Sequence, residues 1–466
     1  MQPTAVTLVS PGSQTVGPDV VIDSRRVTAG SLFVAVPGER VDGHDFAGVA
    51  VTAGAAAVLG TRATPASVPH LLVDDTVAGL SSLARGIVSQ ARSQGLISIG
   101  ITGSSGKTST KDLLAQILEA VAPTVAPEGS QNNEIGVPLT ACRVEAATKF
   151  LVSEMGARGM GHISWLTSLV GLDIGVVLNV GAAHVGEFGG LAATATAKAE
   201  IVADLPPRGW AVLNADDPAV AGMAERTQAR IAWCGEGELP EGELRVQARE
   251  VRLNQLSQPS FELVVTSGDQ IQRARVSLTL IGRHQVSNAL AAATAAIAAG
   301  VGLDTVAQAL AAAVPRSGWR MELRTRADGV MILNDSYNAN PDSMAAALRT
   351  AVDLGTHQRS EFADARVIAI LGDMLELGPE SAQFHTELGR LAGDFAVSEV
   401  IAVGESAQLV RDCARDAGLT ARVASRDDVA GSLNLHPGDV VLIKGSRGIG
   451  LEAVAAALLE LPEATQ

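Results

Sequence analysis

Aromatic side chains are scarce: they make up 3% of the 466 residues, and Tyr337 is the single tyrosine. Hydrophobic residues nevertheless reach 47%, so the cores must be built from Ala, Val, Leu and Ile. Cysteine is scarcer still. Cys142, Cys234 and Cys413 are odd in number and far apart, which excludes a disulfide framework and any metal-binding spacing and suits a reducing cytoplasm. There is no excess of positive charge: the formal net charge of −15 argues against a nucleic-acid partner, which needs a basic surface. A small anionic substrate stays open wherever Lys and Arg cluster locally. The opening MQPTAVTLVSPGSQ lacks a basic region followed by an apolar stretch, so no signal peptide is expected. One uncharged stretch, between His284 and Asp304, is long enough to cross a bilayer. It is mostly Ala with Gln285, Ser287 and Asn288, and reads instead as a buried helix packed closely on a sheet.

The length suggests three domains, since single cores stop growing beyond about 250–300 residues. The 48 glycines fit the many tight turns of an α/β protein. Residues 1–95 carry short apolar runs at 31–36 and 55–59, broken by turn residues in PGERVDGHD. Residues 96–320 open with the β-rich run LISIGI at 96–101, then a Gly/Ser loop, then helical spacing over 110–122. Further strands are expected at 150–152, 174–178 and 210–213, with an antiparallel extension over 245–280. Residues 321–466 repeat the doubly wound pattern, with strands at 330–333, 367–371, 400–403 and 440–443. In such sheets ligands gather at the carboxyl ends of the strands, here NDSYNANPDS, GDMLELG and KGSRGIG.

The strongest local signal is Thr102-Gly103-Ser104-Ser105-Gly106-Lys107-Thr108-Ser109 between a strand and a helix. The glycines let the backbone point N–H groups at phosphate oxygens, and the helix presents its positive end to the same anion. Lys107 adds charge at the terminal phosphates and the Thr108 hydroxyl can ligate Mg²⁺. The generic spacing puts Gly at position 101, where this chain has Ile. By itself the loop implies nucleotide binding, not a reaction. Glu154, closing an apolar strand, suits a Mg²⁺ carboxylate ligand, and Lys444, Ser446 and Arg447 follow a strand near the end of the chain.

Read together, TGSSGKTSTK at 102–111, NNEIGVPLT at 132–140, SEMGARGMGHI at 153–163, NVGAAHVGEFGG at 179–190, AKAEI at 197–201, NADDP at 214–218, GRHQVSNALAA at 282–292 and WRMEL at 319–323 resemble the ordered motifs of the Mur ligases. NDSYNANPDSM at 334–344, LGDMLELG at 371–378 and IKGSRGIGLE at 443–452 resemble the branch of that family that adds D-alanyl-D-alanine. DSRRVTAGSLFVAVPGERVDGHDF at 23–46 is similar to the family's UDP-sugar domain. The resemblance implies a small UDP-binding α/β domain, a central P-loop ATPase-like domain with a mainly parallel sheet and a C-terminal Rossmann-like domain. It implies an ATP-dependent ligase that passes through an acyl phosphate, with UDP-N-acetylmuramoyl-tripeptide and D-alanyl-D-alanine as substrates, acting as a cytoplasmic monomer.

The resemblance also implies two Mg²⁺ sites, held by Thr108, Glu154, His184 and Lys198, the last as a carbamate formed with CO₂. Asn288, Arg320 and Asp335 match positions for adenine, phosphate and ribose, and Tyr337 beside Asp335 is a candidate to stack on adenine. Catalysis is expected to fall to Lys107, Glu154, His184, Lys198 and Arg320. Substrate contacts are expected from Ser24, Arg25 and Arg40 to uridine and diphosphate, from Asn132 and Asn133 to the acceptor carboxylate or the metals, and from Asn338, Asn340, Lys444, Ser446 and Arg447 in the last domain, where Lys444 and Arg447 suit the carboxylate of the incoming dipeptide or the acyl phosphate. His385 is read as either a site residue or a packing residue. The SQNN at 130–133 departs from relatives that carry an aromatic or hydrophobic residue at position 131. Two sister activities, addition of the third residue and folate polyglutamylation, and a regulatory P-loop NTPase are the alternatives. The DNPR-type motif of the first is missing.

Overall fold

The computed structural model describes residues 6–9, 15–17, 19–38, 40–181 and 190–461. Three sheets follow one another along the chain. The first has five strands in the order Thr7–Val9, His70–Leu72, Ala57–Gly60, Leu32–Val34 and Val20–Val21. Its outer pair at Thr7–Val9 is antiparallel and the rest are parallel. Leu32, Phe33 and Val34 are all buried, as expected of a short parallel strand covered on both faces. The helix Thr76–Ser93, capped by Asp75 accepting from Ala78 N at 2.9 Å, carries Leu80, Ala84 and Val88 into one core that also holds Leu166 and Leu169. The first sheet and the central unit are therefore packed through this helix rather than joined by a bare linker.

The central sheet has nine strands. Ile97–Thr102 lies between Phe150–Glu154 and Ile174–Val177, all parallel. The chain runs first to one side of Ile97–Thr102 and later returns to build the other, so the strand order reverses there, and Thr102 leads straight into the Gly/Ser loop. Such a switch point is where doubly wound sheets receive ligands. The stretch 245–280 does form an antiparallel extension, Leu244–Leu253, Pro259–Ser267 and Gln270–Ser277. The uncharged segment after His284 is the helix Gln285–Ala298. Its Ala289, Ala292, Ala293, Ala295 and Ala296 are fully buried, the small side chains letting it lie close on the helix Lys107–Glu119 and the sheet. Among the described residues no helix is long and apolar enough to cross a membrane.

The third sheet runs Glu322–Thr325, Met331–Asn334, Val440–Lys444, Val367–Gly372, Glu399–Val403 and Thr420–Val423, parallel except at its first pair. The four inner strands fall where the apolar runs predict them. The two edge strands were not foreseen: their side chains are half-buried or exposed for the most part and include Glu322, Arg324 and Arg422, so they carry little apolar signal.

Candidate active site

The loop after Ile97–Thr102 is shaped by its glycines. Gly106 adopts φ +79°, and a Cβ there would lie 2.3 Å from Asn288 Oδ1. A Cβ on Gly103 would lie 2.9 Å from the Leu178 side chain. Ile101, where a generic loop carries Gly, is still a fully buried strand residue, so the bend begins later, at Gly103. Thr102 anchors the strand end by donating its hydroxyl to Met155 O at 2.9 Å. Ser104 N and Ser105 N both donate to Asn179 Oδ1 at 2.9 Å, two N–H groups converging on one oxygen. The helix starts at Lys107, three residues earlier than its apolar spacing suggests, because the left-handed Gly106 turns directly into it. Lys107 is half-buried and donates to Gly103 O at 2.6 Å. Burial pushes its pKa down, Glu154 opposes that shift, and Arg320 adds to it.

Glu154 closes its strand with no exposure. It accepts from Thr108 Oγ1 at 2.9 Å, Ser130 Oγ at 2.8 Å and Asn132 Nδ2 at 2.9 Å. All three donors are neutral, and no ion pair reaches this buried carboxylate among the described residues. Lys198, on the helix Leu191–Ala203, is 2% exposed. Burial first, then the nearby Lys107, holds its amine well below the ordinary lysine range. His184 lies outside the described residues. Asn132 faces Glu154, whereas Asn133 caps the short helix Gly136–Ala141, its Oδ1 accepting from Gly136 N at 2.9 Å. Gln131 packs against Gly136 and accepts from Thr140 Oγ1 at 3.4 Å.

The segment joining the second and third sheets is held on the helix Lys107–Glu119. Ser317 donates to Asp112 at 2.7 Å, Arg316 pairs with Glu119, and Gln116 exchanges bonds with the Val314 backbone. Beyond it, Trp319 (φ +58°) and Met321 (φ +48°) flank Arg320 in left-handed backbone. The Arg320 guanidinium lies over the Tyr337 ring at 4.2 Å from its centroid. Asp335 accepts from Met321 N at 3.1 Å and from Lys444 Nζ at 2.6 Å, and Lys444 also donates to Asn338 O at 2.8 Å. Asp335, matched to ribose, and Lys444, expected at the dipeptide carboxylate or the acyl phosphate, are thus each other's partners at two adjacent strand ends.

Asn340 caps the helix Pro341–Gln358 in a box with Ser343, and its Nδ2 reaches Ser104 O at 3.5 Å. That contact sets the third domain's helix against the loop. Asn338 Oδ1 accepts from the adjacent Ala339 N. Asn288 accepts from Thr110 Oγ1 at 3.3 Å and donates to Gln285 at 2.9 Å. Ser446 Oγ accepts from Leu375 N at 2.9 Å, a structural tie. His385 is buried, its Nε2 accepting from Met374 N at 3.0 Å and its Nδ1 facing Ser381 O at 2.7 Å, the arrangement of a packing residue. Arg447 is exposed, stacked on Trp319 and paired with Glu452.

A cavity of about 420 Å³ gathers most of these groups: the loop from Ser104 to Ser109, Asn132, Asn133, Glu154 and Lys198 on one side, and Arg320, Asp335, Tyr337, Asn338, Asn340 and Lys444 on the other, with Asn288 between. Thr102 and Gly103 form the base of the loop behind it. Ser446 and Arg447 do not line it. Neither do Ser24, Arg25 and Arg40, which belong to the first domain; Arg25 is paired with Asp23 at 2.6 Å. Asn179, His284, Gln285 and Glu376 line the cavity and were missed. Asn179 had a signal, a polar residue at the carboxyl end of a strand beside the switch point.

A strand-to-helix loop with converging N–H groups, a lysine and a buried carboxylate at its side, and a second α/β domain closing over it define a nucleotide-dependent enzyme acting between two domains. Residues 19–141, 101–296 and 319–447 match the models of the Mur ligase family catalytic domain, the Mur ligase middle domain and the Mur ligase glutamate ligase domain. Over 94% of its length the chain is 42% identical to the UDP-N-acetylmuramoyl-tripeptide–D-alanyl-D-alanine ligase of Mycobacterium tuberculosis, covering 92% of it. It is 34% identical to the ligase of the same name from Escherichia coli, over 95% of this chain and 93% of that one. Among solved structures, MurF from Acinetobacter baumannii superposes with a TM-score of 0.82 at 31% identity, covering 95% of this chain and 93% of that one. MurF ligase from Thermotoga maritima in complex with ADP gives 0.76 at 27% identity, covering 97% and 99%. The chain belongs to the Mur ligase family of ATP-dependent ligases.

Proposed function

We propose that this enzyme joins D-alanyl-D-alanine to UDP-N-acetylmuramoyl-tripeptide in peptidoglycan precursor synthesis in the cytoplasm, cleaving ATP to ADP and phosphate. The observation that carries the reading is the single cavity in which the loop and Glu154 of the central domain face Arg320 and Asn340 across the domain junction. Near-full-length identity to ligases of that name supports the substrate assignment.

The chemistry needs such a junction. The tripeptide carboxylate attacks the γ-phosphorus of ATP, forming a C(O)–O–P bond as the bond to the ADP oxygen breaks. The dipeptide amine then attacks the acyl carbon, and the tetrahedral oxyanion collapses with loss of phosphate and a proton. Negative charge accumulates throughout, and fixed cations must offset it. Lys107 is assigned to the transferring phosphoryl group, with the Ser104 and Ser105 N–H groups cradling phosphate oxygens. Arg320, held between two left-handed residues at the domain boundary, is assigned to the phosphates. Residues 1–95 are assigned to the UDP moiety, 96–320 to ATP and 321–466 to the incoming dipeptide.

The residues beside the loop fit a divalent metal. Glu154 is a fully buried carboxylate surrounded by neutral donors, one of them the Thr108 hydroxyl. These two residues would hold one Mg²⁺, which when bound neutralises phosphate charge. A second ion is assigned to Lys198 as carbamate with His184. Burial, and then the nearby Lys107, lower the pKa of the Lys198 amine and so favour its neutral form, the form that reacts with CO₂ to give an N–COO⁻ group and a proton.

The test is phosphate release with substrates supplied singly and together. Turnover should require ATP, Mg²⁺, the UDP-tripeptide and D-alanyl-D-alanine all at once. Rapid turnover with an L-amino acid and the UDP-dipeptide, and none with the D-dipeptide, would move the chain to the sister activity. Full ATPase activity with no amine would make it a regulatory NTPase.

A further inference from the structure

The proposed amine substrate is a zwitterion, so its site needs a cation for the carboxylate and an anion for the ammonium. Arg447, just beyond the strand Val440–Lys444, is the sequence candidate for the first; it stands outside the cavity lining, paired with Glu452, and would have to exchange that partner for the carboxylate. Nothing so far supplies the second. Four carboxylates line the cavity: Glu154, Asp335, Asp342 and Glu376. Glu154 sits among the hydroxyls beside the phosphate loop, Asp335 is paired with Lys444, and Asp342 crowds Gly181 next to Ser104. Glu376 alone stands on the turn after the strand Val367–Gly372, on the third domain's own side of the cavity.

That turn is tied down residue by residue. Asp373 accepts from Glu405 N at 2.7 Å and Ser406 N at 3.1 Å, and its carbonyl accepts from Ser446 N at 2.9 Å. Met374 N donates to His385 and Leu375 N to Ser446 Oγ. Leu377 is buried. Between these fixed points Glu376 is held at φ +64°, a conformation that a residue with a Cβ keeps only where its surroundings over-determine it. The ties account for His385 and Ser446, which hold the turn instead of meeting ligand. Leu375, 46% exposed, lies against Gly448, 3.1 Å from where a Cβ would stand, one residue past Arg447. The turn bearing the anion and the turn bearing the cation are thus in contact. A dipeptide spans only about 7 Å when extended, so its two charged ends require groups on neighbouring turns such as these.

We propose that Glu376 receives the ammonium group of the incoming dipeptide, making the turn 373–376 the amine-selecting element of the site. The inference rests on the reading that the amine substrate is D-alanyl-D-alanine. It assigns Glu376 to binding and orientation, with Leu375 offering the apolar surface between the two charges.

Glu376→Gln keeps the shape and removes the charge. It should raise KM for D-alanyl-D-alanine by about 10- to 100-fold, the worth of one charge-assisted hydrogen bond, with KM for ATP and UDP-tripeptide unmoved. D-Lactoyl-D-alanine, which carries a hydroxyl where the dipeptide has its ammonium, should inhibit wild type and variant equally. Glu376→Gly, which relieves the left-handed backbone, should hold or raise Tm and still lose dipeptide affinity. A dipeptide KM within about twofold of wild type in Glu376→Gln overturns the assignment, as does equal weakening of all three substrates or of the lactoyl compound. Failure of the wild type to use D-alanyl-D-alanine would instead overturn the substrate reading, and this inference with it, before any variant is made.

Discussion

Replacing Gly106 with alanine adds one methyl group at the point where the phosphate loop becomes a helix. The backbone there is left-handed, which costs a residue with a Cβ about 1–2 kcal/mol. The new Cβ would also stand 2.3 Å from Asn288 Oδ1, so Asn288 must leave its place. Leaving breaks its bonds to Thr110 and Gln285, each worth roughly 0.5–1.5 kcal/mol in a buried setting. The expected loss is about 2–5 kcal/mol of stability in the central unit, a fall in Tm on the order of 5–15 °C. Thermal unfolding with and without ATP measures both consequences, because a displaced loop should also lose the stabilisation that nucleotide confers. Asn288→Ala provides the control: it removes the obstructing amide, so the double variant should be less destabilised than the two single losses added together. An alanine variant that unfolds within about 1 kcal/mol of wild type and keeps its KM for ATP would refute this account of the loop.

Lys107→Ala should fold normally and lose about 100- to 1000-fold in kcat, the scale of removing one electrostatic contact to a transition state. Near-normal kcat in phosphate-release assays would take this loop out of the mechanism. Lys198→Ala should be almost inactive and regain activity with a short carboxylic acid that occupies the anionic space; retention of most activity without additive would sink the carbamate. The pH dependence follows from the depressed amine. With its folded pKa below the ordinary 10.5, Lys198 gives its full contribution to stability above that value and loses it as pH falls through the folded pKa. Carbamate, which needs the neutral amine, should disappear in the same direction. CO₂-purged enzyme should therefore lose activity soonest at the acid end and recover it with bicarbonate, and indifference to bicarbonate across the pH range would count against the modification.

Element type was legible where a strand is buried on both faces, since 367–371 and 440–443 are unbroken apolar runs and Ile97–Thr102 places three isoleucines at every second position. The antiparallel extension was readable as a region but not strand by strand, because Leu244–Leu253 alternates buried and open positions and shifts register between Arg249 and Arg252. For the site, the ordered motifs gave the residue types and most of the cavity wall. What they could not give is pairing. Asp335 and Lys444 stand 109 positions apart, and only the parallel alignment of Met331–Asn334 with Val440–Lys444 makes them partners. Likewise the sequence suggested no difference between Asn132, which faces Glu154, and Asn133, which caps a helix. Glu376 was hidden for a related reason: the turn GDMLELG was marked as a place for ligands, but which of its residues faces the cavity was not legible until the backbone was known.

The loop's own hydrogen bonds show how nucleotide binding would be organised. Asn179 Oδ1 already occupies the point on which Ser104 N and Ser105 N converge, so the two donors are oriented before any phosphate arrives. On the proposed reading, phosphate would exchange a neutral acceptor for a charged one at the same two donors, and charge-assisted bonds are roughly twice as strong as neutral ones. The ordering cost that would otherwise weaken binding is met during folding. Lys107 is held in the same way, its ammonium on the loop's own Gly103 carbonyl. Asn340 extends the arrangement across the domain junction, capping the third domain's helix while its amide meets the carbonyl of Ser104. A change in the loop at Ser104 is therefore felt directly at the start of that helix. Three residues that look interchangeable in sequence, Asn179, Asn288 and Asn340, divide the work: one pre-sets the donors, one fixes the glycine turn, and one couples the loop to the domain proposed to bring the amine.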